Sequence, residues 1–132
     1  MARVQLTQNV GPEVIKCMDK TVSAGVPTYS PTANVSKYTL HSYQVVTVQA
    51  SGNVQFTIAG SNVTNINSQG DPVPSSDMEK DWITISTHTI ANNSGLPATL
   101  AYSDVWNFKY SKVLIEPATT SATVEVYEKH NA

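Results

Sequence analysis

Apolar and polar side chains alternate along residues 54–59, where Val54, Phe56 and Ile58 are separated by Gln55 and Thr57, and Gly60-Ser61-Asn62 follows at once. A period of two bounded by turn residues predicts a β-strand with one dry and one wet face, ended at the glycine. The same rhythm predicts strands over residues 44–50, 82–90, 112–115 and 122–127. No stretch keeps a helical period with caps at both ends. The fold class these patterns predict is all-β, an antiparallel β-sandwich.

Within that sandwich Val46, Val48 and Ala50 are expected to point inward, Ser51-Gly52-Asn53 to turn the chain, and Val54, Phe56 and Ile58 to return as the second arm of a hairpin. Ile83 and Ile85 share one face of the next strand, with Trp82, Thr84 and Ser86 on the other. Trp106, Phe108 and Tyr110 recur at every second residue, but Val113 and Ile115 have the opposite parity, which predicts a bulge or register change near Tyr110 and Ser111. Val124 and Val126 complete the core, with Tyr127 facing away. Two long connections stand out, 60–81 and 91–104; loops of such length are usually functional or disordered. In the first, Ser76-Asp77-Met78-Glu79 has capping-box spacing and predicts one helical turn before Trp82.

Residues 1–37 read differently from 38–132. Pro12, Gly25, Pro27 and Pro31 punctuate them, and residues before proline avoid the helical region, so 26–32 are expected to be extended. The division predicted is an extended N-terminal arm (1–37) and a β-sandwich domain (38–132), with the arm either wrapping its own domain or reaching a neighbour. Residues 11–18 fit a turn or two of helix with Pro12 at the first position, and residues 4–10 fit an edge strand.

A chain of 132 residues makes one domain, able to bury roughly two thirds of the surface its unfolded form exposes. Its single cysteine, Cys17, excludes an intrachain disulfide, and the start Met1-Ala2-Arg3-Val4-Gln5 lacks the features of a secretory signal, so assembly in a reducing cytosol is expected. The longest aliphatic run, Val113-Leu114-Ile115, is far below the ~20 residues that span a bilayer, which argues against a membrane role. Eight Lys and Arg against ten Asp and Glu, scattered along the chain, offer no basic stripe for nucleic acid. Charged residues make up 14% of the chain, against about 25% in ordinary soluble domains, and Ser, Thr, Asn and Gln replace them. Short neutral polar groups cost little to desolvate, which suits contact with other proteins; β-rich chains also favour Thr and Ser for their own reasons.

No nucleophile motif, phosphate loop or metalloprotease motif occurs, so no catalytic, cofactor-binding or metal-binding residue is assigned. His41, His88 and His130 lie far apart; they could converge across a sheet, but a lone histidine on a strand is more often hydrogen-bonded or at the surface than a ligand. Cys17 reads as a small apolar group. Asp71, Asp77, Glu79 and Asp81 crowd one loop, without the spacing of a twelve-residue calcium loop and with Lys80 among them, so a solvated turn is expected. Asn34-Val35-Ser36, Asn62-Val63-Thr64 and Asn92-Asn93-Ser94 match glycosylation acceptors by chance in an Asn- and Ser-rich chain. Trp82, Trp106 and the tyrosines admit either sugar stacking on the sandwich or core packing, and the alternation of Trp106 with Phe108 favours the core.

The succession Gln44-Val45-Val46, residues 51–62 from Ser51-Gly52-Asn53 to Gly60-Ser61-Asn62, Asp81-Trp82-Ile83-Thr84-Ile85, Tyr110-Ser111-Lys112-Val113-Leu114-Ile115 and residues 120–127 resembles small β-sandwich virion proteins of tailed bacteriophages, over about residues 38–128. Lys112-Val113-Leu114 stands where that family has an arginine-bearing strand, and Ser61-Asn62-Val63 replaces its Ser-Asn-Asp turn. The resemblance implies a jelly-roll-like sandwich and a non-enzymatic structural role in a virion assembled in the bacterial cytoplasm. Within that role it implies a capsid decoration (cement) subunit binding the major capsid protein as a homo-oligomer, a trimer in the favoured case. The alternatives are a tail or neck accessory protein and a carbohydrate-binding module. Residues 2–32 and the 60–81 loop are the expected partner surfaces.

Overall fold

The computed structural model describes residues 7–9, 13–50, 52–62, 65–66, 72–73, 82–91, 98–118 and 121–132. They form twelve strands and, among the described residues, no helix: β1 (Thr7–Asn9), β2 (Ile15–Val22), β3 (Thr28–Tyr29), β4 (Thr32–Asn34), β5 (Leu40–Ala50), β6 (Val54–Ser61), β7 (Asn65–Ile66), β8 (Pro72–Val73), β9 (Ile83–Ile90), β10 (Ala98–Val105), β11 (Tyr110–Pro117) and β12 (Ala122–Asn131). One sheet runs β1-β4-β11-β6-β9 with β3 also on β11; the second runs β10-β5-β12-β2; β7 and β8 pair with each other.

The pairing is nested. Counting β3 and β4 as one interrupted strand, β2 pairs β12, β3/β4 pairs β11, β5 pairs β10 and β6 pairs β9, all antiparallel. A long antiparallel ribbon folded over on itself gives this order, and the contacts β5·β12 and β6·β11 join its halves. Eight strands so connected are a jelly roll. Among the described strands only β1 runs parallel to its neighbour, β4.

The two sheets face each other across Met18 and Val22 of β2, Tyr43 and Val45 of β5, Phe56 and Ile58 of β6, Val113 and Ile115 of β11, and Val124 and Val126 of β12, each no more than 5% exposed. Alternation places these residues on one face of each strand, so the second face remains for solvent or a partner. Tyr127, as predicted, lies on the outward face beside Glu125.

Several expectations are corrected by this topology. Residues 46–58 do not make a hairpin: β5 and β6 lie in different sheets, and Gly52-Asn53 carries the chain from one to the other. The inward residues of β5 are accordingly His41, Tyr43, Val45 and Thr47, while Val48 is 43% exposed; of the three residues expected inward, Ala50 does pack against the core, beyond the register shift in the β5·β12 ladder. Gly60 and Ser61 continue β6 rather than turning it. A Cβ at Gly60 would sit 2.5 Å from Cδ2 of Phe108, so the glycine makes room for a ring packed over the strand. The parity change between Phe108 and Val113 is not a bulge, since β11 pairs β6 from Tyr110 to Pro117 without a register shift. It arises because residues 106–109 cross between sheets before β11 begins. A register shift does occur in the β6·β9 ladder, between Ile58 and Ala59, opposite Ser86 and Thr84. Ile85 there packs against the core, whereas Ile83 is 57% exposed.

Residues 15–34 are not an arm set apart from the layers. They supply β2 at the edge of one sheet and β3 and β4 on β11 of the other, so pairing crosses the 37/38 boundary. Residues 15–18, assigned a possible helix, are strand. Pro31 has no N–H for the ladder, and Ser30 compensates: its N–H donates to the Val113 carbonyl and its Oγ accepts from the Val113 N–H, both at 2.8 Å. The predicted helical turn at 76–79 lies outside the described residues.

The packing at Gly60 yields a direct test. Gly60→Ala forces the Phe108 ring and Ile85 to move, and unfolding in urea should show a loss of about 1–3 kcal/mol with an unchanged m-value.

Candidate functional site

β5 and β12 lie side by side with His41 opposite His130. Both strands keep one parity inward past the end of the apolar core, so after Val124 and Val126 the next inward residues of β12 are Glu128 and His130, and the residue before Tyr43 on the inward face of β5 is His41. His41 and His130 are 0% exposed and Glu128 is 1% exposed. Their polar atoms form a chain: the Nδ1 atoms of His41 and His130 are 2.7 Å apart, Nε2 of His130 is 2.9 Å from Oε1 of Glu128, and Nε2 of His41 is 3.2 Å from the Trp106 carbonyl oxygen. The Trp106 ring stacks on His41 at 4.3 Å, and the Tyr43 and Ser111 hydroxyls share a hydrogen bond alongside. Among the described residues Oε2 of Glu128 and Nε1 of Trp106 meet no hydrogen-bond partner.

Burial, reinforced by the facing His130, pulls His41 down to about 4, against a smaller upward pull from the Trp106 carbonyl. Burial and then the Glu128 charge push the Tyr43 hydroxyl up, and the same two causes hold the Cys17 thiol far above its ordinary value. Cys17 donates to the Val126 carbonyl at 3.5 Å and behaves as an apolar, unreactive group. None of the His41, His130 and Glu128 side chains reaches solvent, so the cluster knits the end of the sandwich together and offers no surface to a substrate.

A second cluster covers the outer face of the β6·β11 sheet. Ala59, Trp82 and Tyr110 are buried there, and the Lys112 ammonium lies 4.1 Å from the ring centres of both Tyr29 and Trp82. A desolvated cation between two aromatic faces gains about 2 kcal/mol or more, enough to keep a lysine that is only 3% exposed on a sheet surface. Trp82 and Trp106 are 6% and 7% exposed, so neither indole is a platform for stacking a sugar; both pack as core residues.

The outer face of the other sheet is divided by charge. On β5 and β10 the outward positions are Leu40, Ser42, Gln44, Val46, Val48, Thr99, Ala101, Ser103 and Val105, with no charged residue among them. Leu40 and Val105 face each other across the ladder at 43% and 68% exposure. The charged residues of this parity lie on the β12 and β2 side, where Lys16 bridges Asp19 and Glu125, while Asp104, of the other parity at the end of β10, is exposed and accepts from the Tyr102 hydroxyl and the Val105 N–H.

The remaining candidates are dispersed. His88 sits half-buried on β9, hydrogen-bonded to Ser86 and packed between Phe56 and Tyr102. Asp71, Asp77, Glu79 and Asp81 lie outside the described residues, as do 92–94. Asn34 closes a turn onto Ser36, and Asn62 accepts from the Lys109 N–H. Among the described residues no three His, Cys, Asp or Glu side chains are placed to hold a metal ion, and no helix is long and apolar enough to cross a membrane. The His41–His130–Glu128 chain is what the sequence reading missed, and the signal was present: 124, 126, 128 and 130 share one parity.

No protein-family model matches the sequence, and no curated protein sequence matches it. Solved structures do share its fold. The PBSX exported protein XepA superposes with a TM-score of 0.62 at 9% identity, over 95% of this chain and 39% of that one. The mitogen of Yersinia pseudotuberculosis superposes at 0.50 with 12% identity, over 89% and 86%. A protein of the T13 particle of infectious bursal disease virus superposes at 0.50 with 14% identity, over 90% of this chain and 30% of that one. The chain thus spans well under half the length of XepA and of the viral protein, and at these identities the likeness is one of fold.

His41 gives the buried cluster an acid limit. An unfolded histidine takes up a proton near pH 6.5, whereas folded His41 does so only near 4, so the folded state binds fewer protons between these values. Its contribution to stability is complete above pH 6.5 and falls as pH drops toward 4. Urea midpoints measured stepwise from pH 6.5 to 4 should decline, and His41→Gln should start lower and decline less.

Proposed function

We propose that this protein is a non-enzymatic structural component of a bacteriophage virion, and within that class a capsid decoration subunit that binds the major capsid protein of the assembled head. The observation that carries the reading is the uncharged outer half of the β10-β5-β12-β2 sheet. Nine outward positions without a charge, with Leu40 and Val105 exposed at its end, desolvate cheaply against another protein. Among the described residues the His41–His130–Glu128 chain is turned inward and closed to solvent, which suits a building block better than an enzyme. The resemblance to phage virion sandwiches and the fold shared with a viral-particle protein add support.

The docking surface is assigned to β5 and β10 rather than to residues 2–32, because Ile15–Val22 and Thr28–Tyr29 of that segment are built into the two sheets. Many copies of one modest contact suffice on a shell, since a subunit touching several coat proteins gains by avidity, and a symmetric trimer presents three such faces together. The buried indoles of Trp82 and Trp106 weigh against the carbohydrate-binding alternative.

Val105→Asp and Leu40→Asp place a charge on this face without touching the core. Co-sedimentation with capsids should weaken at least tenfold for either variant while thermal unfolding stays within a degree or two of the unmodified chain. Unchanged binding by both would remove this face from the account, and gold labelling at the neck or tail of intact particles would move the protein off the head.

A further inference from the structure

We propose that the His41–His130–Glu128 chain holds one proton more than two neutral imidazoles and a carboxylate contain, so that folding captures a proton from solution at neutral pH and the fold loosens when alkali removes it. The inference follows from counting hydrogen atoms against acceptors, independently of the functional reading above.

Three polar contacts link the groups, and each needs one hydrogen. The Trp106 carbonyl oxygen can only accept, so Nε2 of His41 carries a hydrogen. One hydrogen lies between the two Nδ1 atoms, which at 2.7 Å cannot both present lone pairs. One lies between Nε2 of His130 and Oε1 of Glu128. Two neutral imidazoles supply two hydrogens and a carboxylate supplies none, so the third is an added proton. It resides either on His130, as an imidazolium facing a carboxylate, or on Glu128, as a neutral acid donating to His130. Both arrangements have zero net charge, as a site closed to water requires.

The surroundings supply no cation. The one charged side chain opposite the cluster in the β5·β10 ladder is Asp104, across from His41, an exposed carboxylate that accepts from the Tyr102 hydroxyl and the Val105 N–H. Facing the chain are the Cys17 thiol of β2, the Tyr43 hydroxyl of β5, the Ser111 hydroxyl of β11, the Trp106 indole and the Tyr38 ring. None of these side chains can be a cation, and burial keeps Cys17 and Tyr43 protonated. Among the described residues one carboxyl oxygen of Glu128 has at most the weakly donating Cys17 thiol beside it, so an uncompensated carboxylate there is costly. Burial disfavours charge on His41, which places the added proton on the His130–Glu128 side.

The linkage sign is fixed by this count. At pH 7 to 8 the unfolded chain has an ionised Glu128 and mostly neutral histidines, so the folded state binds more protons and stability falls as pH rises. The unfolding equilibrium constant, from urea titrations extrapolated to water, should rise about sixfold from pH 7 to pH 8: tenfold from the captured proton, less the residual titration of the unfolded imidazoles. Glu128→Gln supplies the discriminating comparison. Its amide N–H donates to Nε2 of His130, Nδ1–H of His130 donates to His41, and all three contacts are met without an added proton. In that variant the constant should instead fall slightly over the same interval, so that the ratio between the two proteins changes tenfold. Equal pH dependence in both, or no dependence in the unmodified chain, overturns the proposal. Should the variant not fold, refolding heats of the unmodified chain at pH 7.5, in buffers of different ionisation enthalpy, give the uptake directly. Close to one proton is expected, and an uptake near zero overturns it.

Discussion

Two sheets share a dry interface only if every strand presents one parity inward along its whole length, and here that rule binds even where the inward side chains are not apolar. β5 is eleven residues and β12 ten, longer than the apolar core they flank. Past Val126 and Tyr43 their pleat keeps driving residues inward, and those residues are Glu128, His130 and His41. Polar groups in such positions are tolerable only when they satisfy one another, because an unpaired buried donor or acceptor costs about 1–3 kcal/mol. The hydrogen-bonded chain from the Trp106 carbonyl to Glu128 is thus a consequence of strand geometry, with the stacked Trp106 ring closing it off from water.

How far the sequence discloses this fold depends on where the period of two is clean. Val54, Phe56, Ile58, Val124 and Val126 alternate with polar neighbours, and each is buried as expected. Val46 and Val48 fail because Val45, Val46 and Val48 leave both parities apolar, and the choice is made by the partners of β5, which a local reading does not contain. The short Gly52-Asn53 link looks like a hairpin turn, yet it crosses between sheets; turn chemistry specifies a reversal, not which strand lies next to which. Gly60 misleads for a similar reason, its missing side chain serving Phe108, which lies 48 residues further along the chain. The prolines of residues 27 and 31 do mark extended backbone, but β3 and β4 show that extension is compatible with a place at a sheet edge.

The histidines show the limit most clearly. Separated by 89 residues, His41 and His130 become neighbours only because β5 and β12 pair, so sequence distance alone gave no reason to join them. Parity on β12 was readable, and it put Glu128 and His130 on the same face as Val126. That they meet His41 there is a property of the nested topology. By contrast the scarcity of charge was visible from composition, and the structure gives it a location: the uncharged positions gather on β5 and β10, while Lys16, Asp19 and Glu125 pair at the other side of the same sheet.

That topology also explains why such a chain can carry long connections. Its outermost pair, β2 with β12, joins residues more than a hundred positions apart, as the contact of Cys17 with Val126 illustrates. The entropy of closing a loop grows only logarithmically, about 0.6 kcal/mol for each doubling, so residues added between β6 and β9 or between β9 and β10 cost little at equilibrium. The cost falls on folding rate instead, because few contacts are local and pairs such as β2·β12 join the two ends of the ribbon. A scaffold with cheap insertions and a fixed interior can change its exposed face without disturbing its core. The interior that stays fixed here includes a polar chain at one end as well as hydrocarbon, so the tolerance of the surface rests on groups that are themselves sensitive to proton activity.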